Sequence, residues 1–246
     1  MKILITGASG LLGRALMSEF AGSEHEIVGC GFRRATGGLV SVDLLDNSAV
    51  RSMIERLRPD CIIHAAAERH PDVSEHDPDY TLRLNVEATA TIAGVARDIG
   101  TWIVYISTDY VFDGTQPPYR PMDTPHPLNI YGQSKWRGEE AVRDVSSGAC
   151  ILRIPVLYGP VTSLDESPVT QIASTMRQAT SVRYDNWAIR YPTHVADVAY
   201  VVRRMIDYRR GNPRFGGTYH WSGNEPLTKH AMACIIADIM GVPSSL

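Results

Sequence analysis

The feature that most constrains the fold is a glycine-rich turn between a short apolar run and a helical pattern. Residues 2–6 read KILIT, and Gly7, Gly10 and Gly13 follow them at a GxxGxxG spacing. Such glycines allow a tight turn, close backbone approach to a pyrophosphate and close helix–strand packing. The following helix N-terminus offers free N–H groups and a positive dipole end to phosphates. The loop therefore predicts a dinucleotide-binding α/β fold, and the alternative is a glycine turn without a ligand.

The alternation of apolar runs and helical patterns continues along the chain. Continuous β-branched runs are typical of strands buried on both faces of a parallel sheet, and they occur at residues 2–6, 26–30, 61–64, 102–107 and 150–154. Helical patterns lie between them, at residues 11–20, 48–57, 79–99 and 131–145. This order predicts a Rossmann-type doubly wound parallel sheet in a dinucleotide-binding domain over residues 1–158.

After Gly159 the pattern changes, because glycines and prolines separate shorter elements. Residues 228–240 read as a helix that Gly241 and Pro243 terminate. We expect a small mixed α/β lobe over residues 159–246 that faces a substrate or a partner. Trp187 and Trp221 are expected to pack inside this lobe, with stacking on a substrate ring as the alternative.

Composition narrows the possible partners and the compartment. The formal net charge is −3, which does not favour nucleic acid or an anionic membrane as a partner. No apolar run is long enough to span a bilayer, and the N-terminus lacks a signal-peptide pattern. The four cysteines are scattered, which predicts buried thiols in a reducing, cytoplasmic location. Residues 70–79 are rich in potential ligands, but two prolines favour a polar loop over a metal site.

The residues after the second strand indicate which dinucleotide is bound. An NAD-binding protein usually carries an acidic residue here for the ribose 2′-hydroxyl. This chain has Phe32, Arg33 and Arg34, and the planar donors of arginine suit a 2′-phosphate. A solvated basic turn is the alternative. We therefore predict NADP(H), with Asp43 and Leu44 near the adenine.

A tyrosine and a lysine four residues apart predict the chemistry of the cleft. Tyr131 and Lys135 would share one helix face, and a neighbouring ammonium lowers the pKa of a phenol. Tyr131 is then an acid or base near neutral pH, and Lys135 a donor to a sugar hydroxyl. Thr108, at the end of the strand that starts at residue 102, is placed to hold a substrate carbonyl. The alternatives are a solvated Tyr–Lys pair and a threonine that caps a turn.

Longer motifs resemble a known family. Residues 107–114 (STDYVFDG) and 127–135 (PLNIYGQSK), with the GxxGxxG loop, resemble the extended short-chain dehydrogenase/reductase family. Within it they are similar to the group that holds dTDP-4-dehydrorhamnose reductases and regulatory β subunits of methionine adenosyltransferase. Further segments resemble the β subunits specifically, at residues 30–34, 66–73, 152–159, 192–195 and 220–225. The resemblance covers nearly the whole chain.

The resemblance implies a role for individual residues. Gly7 and Gly13 shape the loop, and the pyrophosphate would lie against Ser9, Gly10, Leu11 and Leu12. The adenosine end would contact Phe32, Arg33, Arg34, Asp43 and Leu44, while Ala65, Arg69 and Leu157 would line the groove toward the nicotinamide. Tyr131, Lys135 and Thr108 match the catalytic residues, and Asn85 matches a position that supports the active site.

The resemblance leaves two functions open. One is a regulatory subunit that binds a methionine adenosyltransferase catalytic subunit and tunes S-adenosylmethionine synthesis. The other is an NADPH-dependent reductase of a nucleotide-linked keto-sugar such as dTDP-4-dehydrorhamnose, although Pro155 stands where sugar reductases usually carry a small hydroxyl residue. The chain ends at Leu246, before relatives do, which predicts either a truncated form or an incomplete second lobe. An incomplete lobe would expose apolar surface for a partner or a second copy to cover.

Overall fold

A computed structural model describes residues 1–145, 148–178 and 181–242. Its strands are β1 (Lys2–Thr6), β2 (Glu26–Gly31), β3 (Val40–Ser41), β4 (Cys61–His64), β5 (Trp102–Thr108), β6 (Cys150–Ile154), β7 (Leu157–Tyr158), β8 (Thr193–His194) and β9 (Gly217–His220). Seven of them form one parallel sheet in the order β3-β2-β1-β4-β5-β6-β9, and β7 pairs with β8 in parallel. The predicted doubly wound parallel sheet is confirmed. Its order reverses beside β1, where such folds bind ligands.

Helices cover both faces of the sheet. They are α1 (Leu11–Glu19), α2 (Asn47–Leu57), α3 (Pro71–His76), α4 (Pro78–Leu82), α5 (Ala88–Ile99), α6 (Ile130–Val145), α7 (Thr170–Gln178), α8 (Val195–Gly211) and α9 (Lys229–Met240). A π-helical turn, Arg83–Glu87, joins α4 to α5. None of the helices in the described ranges is long and apolar enough to cross a bilayer.

The polar loop expected over residues 70–79 is wrong, because α3 and the start of α4 occupy it. Pro71 stands at the first turn of α3, where a missing N–H costs no hydrogen bond. The Ser74 hydroxyl donates to the carbonyl of His70 at 3.0 Å. Asp77 then caps α4 by accepting from the N–H of Tyr80.

Side chains alternate across the sheet and build a core on each face. Ile3 and Ile5 of β1 pack with Leu16 of α1 and with the inner face of α8. Leu4, between them, packs on the opposite face with α2 and α5. Burial on both faces explains why these strands read as continuous apolar runs.

Elements after residue 159 do not form a separate layer. Helix α8 packs against α1, and β9 adds to the main sheet beside β6. Helices α7 and α9 instead pack on each other around Ile172, Met232 and Ala233. Both parts of the chain contribute strands to the main sheet, and the division into two domains at residue 158 stays a prediction.

Helix α9 ends as expected at Gly241, which adopts φ +65°, while Pro243 lies outside the described residues. The expected packing of Trp187 inside the lobe is wrong, because its side chain is 89% exposed. It lies in a turn where Asp185 accepts from the N–H groups of Trp187 and Ala188. These hydrogen bonds fix the backbone, and the indole is left in solvent. Trp221 is also exposed.

Candidate functional site

A cleft of about 680 Å³ runs along the carboxyl ends of β1, β2, β4, β5 and β6. The strand order reverses at this edge, and doubly wound sheets bind ligands in that crevice. Every residue predicted to bind the cofactor or to take part in catalysis lines this cleft, namely Gly7, Ser9, Gly10, Leu11, Leu12, Gly13, Phe32, Arg33, Arg34, Asp43, Leu44, Ala65, Arg69, Thr108, Tyr131, Lys135 and Leu157. Their individual roles stay predictions.

The glycine loop has the form that a pyrophosphate needs. Gly7 adopts φ +69°, which favours glycine, and a Cβ on Gly13 would lie 2.0 Å from the Gly7 carbonyl oxygen. Gly10 is the N-cap of α1 and has no side chain to occupy the first-turn amides. Those N–H groups have no acceptor within the helix. A dinucleotide phosphate therefore fits at this end of the cleft.

Tyr131 and Lys135 lie on successive turns of α6. The helix begins beside Asn129, whose Oδ1 accepts from the N–H of Gly132 at 2.8 Å. The Tyr131 ring packs edge-on against Tyr110, with centroids 5.6 Å apart. Lys135 is only 3% exposed, so most of its side chain is enclosed by the protein. It nevertheless lines the cleft.

Thr108, the last residue of β5, lies at the same end of the cleft. Its hydroxyl accepts from the N–H of Tyr110 and donates to Asp109, both at 3.2 Å. Tyr110 contacts both Thr108 and the Tyr131 ring, and the Thr108 side chain favours a lower pKa of Tyr131. Thr108 therefore caps a turn and lines the cleft near the candidate proton donor.

Asn85 lies beneath the cleft and joins two of its walls. Its Nδ2 donates to the Ser134 hydroxyl and to the Glu68 carbonyl, each at 2.9 Å. Its Oδ1 accepts from the N–H of Glu68 at 2.8 Å. Asn85 thus holds the start of α6 against the segment that carries Arg69, and its role in supporting an active site stays a prediction.

A buried ion pair fixes the second half of α6. Glu139 accepts from Arg153 at 2.8 and 2.7 Å and from the Ser107 hydroxyl at 2.6 Å. Both charged side chains are almost fully buried. Since Ser107 belongs to β5 and Arg153 to β6, these bonds set the position of α6 over the two strands that flank the cleft.

The expectation that Lys135 lowers the pKa of Tyr131 is wrong. Burial raises the pKa of Tyr131 above its ordinary value, and the Thr108 hydroxyl offsets this only in part. The Lys135 ammonium lies against the Tyr105 ring instead, and burial lowers the pKa of Lys135 to about 7. Tyr131 therefore keeps its proton at neutral pH and can act as a donor.

Comparison with known proteins assigns the chain to a family. The model of the RmlD substrate binding domain matches residues 1–246. The chain is 51% identical to methionine adenosyltransferase 2 subunit beta of Bos taurus over 245 residues, 99% of this chain and 73% of that protein. Its structure matches a dTDP-4-dehydrorhamnose reductase of Clostridium acetobutylicum with a TM-score of 0.87 at 28% identity, over 100% of this chain and 82% of that one.

A second solved structure shares the fold and carries a cofactor. The dTDP-4-dehydrorhamnose reductase of Bacillus anthracis, in complex with NADP, matches with a TM-score of 0.86 at 28% identity, over 99% of this chain and 82% of that one. The chain belongs to the RmlD substrate binding domain family. The predicted resemblance to the dTDP-4-dehydrorhamnose reductase group is therefore confirmed.

In this member of the RmlD substrate binding domain family, four arginines face the cleft in the described part of the chain: Arg33, Arg34, Arg69 and Arg190. Within residues 1–145, 148–178 and 181–242, no carboxylate oxygen lies within 4.0 Å of the guanidinium nitrogens of Arg33 or Arg69. Burial lowers the pKa of Arg69, as expected of a partly desolvated cation. These donors suit the phosphates of a dinucleotide, so the residues present fit NADP(H).

The sequence did not reveal the cleft residues contributed by the segment after Gly159. Glu166, Arg190, Lys229 and Met232 complete the outer wall, and Glu166 forms ion pairs with Arg14 and Arg34. The two members of the Glu166–Arg34 pair are 132 residues apart, and no local pattern joins them. Only the return of the chain after β6 brings them together.

Proposed function

We propose that this chain is an NADP(H)-binding regulatory β subunit of a methionine adenosyltransferase, acting in S-adenosylmethionine synthesis. The observation that carries the proposal is the 51% identity to the bovine subunit across 99% of the chain. In this role the chain binds a catalytic subunit of the enzyme and tunes its activity. The cleft then serves to bind a dinucleotide without needing to turn it over, because a fold keeps its sites when its activity changes.

The cofactor-binding part of the proposal assigns each cleft segment a portion of NADP(H). The loop from Gly7 to Gly13 holds the pyrophosphate through its amides, and Arg33 and Arg34 hold the 2′-phosphate. The adenine lies by Asp43 and Leu44. Toward the nicotinamide, the groove is lined by Ala65, Arg69 and Leu157. The NADP-bound Bacillus anthracis reductase, which shares the fold, supports this assignment.

A second candidate function is an NADPH-dependent reductase of a nucleotide-linked keto-sugar such as dTDP-4-dehydrorhamnose. The observation that favours it is that Thr108 and a protonated Tyr131 line the same cleft and both contact Tyr110. NADPH, when bound, supplies a hydride. Thr108 holds the substrate carbonyl, Tyr131 donates the proton to its oxygen, and Lys135 donates to the nicotinamide ribose. Pro155, which lines the cleft, disfavours the reductase function.

The proposal also covers the domain organisation of the chain and its location in the cell. We infer that residues 1–158 supply the dinucleotide site and that residues 159–246 supply the side that meets a substrate or partner, with a second copy as a further partner. A cytoplasmic location follows from the free thiols of Cys30, Cys61 and Cys150, which are buried, and Cys234, which is half-buried.

One experiment separates the two functions. The purified chain is mixed with a methionine adenosyltransferase catalytic subunit, and both complex formation and the kinetics of S-adenosylmethionine synthesis are measured. NADPH oxidation in the presence of dTDP-4-dehydrorhamnose is followed in parallel. A complex with altered kinetics supports the regulatory function. Sugar-dependent NADPH oxidation that Tyr131→Phe abolishes, without a complex, would replace it with the reductase function.

A further inference from the structure

The inference concerns Glu166, at the end of the 3₁₀ turn Leu164–Glu166 on the cleft wall. Its side chain is 7% exposed. Its Oε2 accepts from Arg14 Nη2 at 2.7 Å and from the N–H of Thr162 at 2.9 Å, and its Oε1 accepts from Arg14 Nη1 at 3.1 Å. Arg14 and Thr162 alone therefore satisfy both carboxylate oxygens.

Arg34 donates to the same carboxylate, but its side chain is more exposed to solvent than that of Arg14. Its Nη1 pairs with Oε1 of Glu166, while its side chain is 56% exposed. Arg34 follows β2 and lines the cleft together with Glu166, and it is one of the two arginines assigned to the 2′-phosphate. If Arg34 turned toward another anion, Glu166 would keep its other three hydrogen bonds.

We propose that Glu166 is the resident counter-ion of Arg34, which a 2′-phosphate must displace, so that Glu166 sets the preference between NADP(H) and NAD(H). This inference rests on the proposed binding of NADP(H) in the cleft. The carboxylate and the phosphate are anions that compete for one guanidinium, and NAD(H) has no such phosphate. Glu166 therefore opposes NADP(H) selectively, and specificity is a difference between two affinities.

The contacts of Arg14 explain why a carboxylate that competes for Arg34 lies at this position. Besides Glu166, its guanidinium donates to the Ser9 carbonyl at 3.0 Å and to the Pro160 carbonyl at 3.2 Å. The glycine loop and the segment after β7 are thus joined through Arg14, and Glu166 holds that guanidinium in place. Loss of the Glu166 charge also adds positive potential near the pyrophosphate. That change affects both dinucleotides, so the ratio of their affinities isolates the effect on Arg34.

The test measures dissociation constants for NADPH and NADH by calorimetry on the intact chain. Glu166→Gln is expected to raise the ratio of NADPH affinity to NADH affinity about two- to fivefold, the range of a partly exposed ion pair. Asp165→Asn is the matched control, since Asp165 is an exposed carboxylate in the same turn. It removes the same charge and should leave the ratio unchanged. Thermal unfolding checks that each variant is folded.

Two further variants connect the effect to Arg34. In an Arg34→Ala background, Glu166→Gln is expected to leave the ratio unchanged. Glu166→Asp keeps a charge for Arg14 but shortens the reach toward Arg34, so it should raise the ratio in the same direction, and it provides the test if Glu166→Gln does not fold.

Three results would overturn the proposal while leaving NADP(H) binding intact: a ratio that stays constant or falls in Glu166→Gln, an equal gain in Asp165→Asn, or a gain that persists without Arg34. A wild-type chain that binds neither dinucleotide would overturn both this proposal and the cofactor assignment.

Discussion

The Nζ atom of Lys135 lies 4.0 Å from the centroid of the Tyr105 ring. The ring offers a cation–π contact, and Glu139 one turn away favours the charged form. Burial outweighs both, and it lowers the pKa of Lys135 from 10.5 to about 7. Lys135 thus carries its charge at a cost to stability.

This relationship predicts a pH-dependent effect of Lys135→Met on the free energy of unfolding. Between pH 7 and about 10 the unfolded chain holds a proton on Lys135 that the folded chain releases, so wild-type stability rises with pH in this window. The variant lacks this gain. We expect its stability relative to wild type to fall by about 1–3 kcal/mol from pH 7 to pH 9. Urea unfolding at both pH values measures this, and a constant difference would contradict the assignment.

The arginines after β2 should determine which dinucleotide binds. Replacement of Arg33 and Arg34 by alanine removes charge-assisted hydrogen bonds to the 2′-phosphate but none to NADH. We expect NADPH affinity to fall about 10- to 100-fold, with NADH affinity within a factor of about three. Calorimetric titration checks this, with Arg51→Ala, an exposed arginine of α2, as the control. An unchanged preference for NADPH would refute the assignment of both arginines.

The buried pair of Glu139 and Arg153 should be essential to the fold around α6. Arg153→Met leaves a buried carboxylate with one fewer cation, and we expect a loss of about 3–5 kcal/mol in the free energy of unfolding. Arg143→Met also removes a partner of Glu139, but Arg143 is 40% exposed, so its loss is expected to cost at most about 1 kcal/mol. Denaturant unfolding of the two variants compares them. Equal losses would show that burial does not decide the effect.

Tyr131→Phe separates binding from chemistry in the cleft. The variant keeps the ring that packs against Tyr110 but loses the hydroxyl proposed to donate the proton. NADPH affinity should change less than about threefold, whereas any sugar-dependent NADPH oxidation should fall at least about 100-fold. Fluorescence titration and a steady-state assay give the two values. Turnover that survives in the variant would exclude Tyr131 as the proton donor.

Local sequence patterns predicted the sheet and the part of the cleft that the glycine loop and the Tyr131–Lys135 pair form. The apolar runs that became β1, β4 and β6 are bounded in the sequence as they are in the structure, because strands buried on both faces leave an uninterrupted signal. The glycine loop and the Tyr131–Lys135 spacing are equally local, since each fits within two helical turns. Gly7, Gly10 and Gly13 of the loop line the same cleft as Tyr131 and Lys135.

What the sequence missed depends on contacts between distant segments. The ion pair of Glu166 with Arg34 depends on how the chain returns after β6, and the raised pKa of Tyr131 depends on the depth of the cleft around it. Trp187 was misassigned because an indole is usually packed, while here Asp185 fixes its turn and leaves the ring exposed. Spacing and periodicity carry no information on such contacts.

Sedimentation velocity of the chain mixed with a methionine adenosyltransferase catalytic subunit, with and without NADPH, tests the regulatory function most directly. We predict a faster-sedimenting complex that forms equally well with wild type and with Tyr131→Phe, because regulation requires no hydride transfer. S-adenosylmethionine synthesis by that complex should differ from synthesis by the catalytic subunit alone. Two unassociated species at every concentration, with NADPH oxidised only by the wild type in the presence of dTDP-4-dehydrorhamnose, would contradict the account.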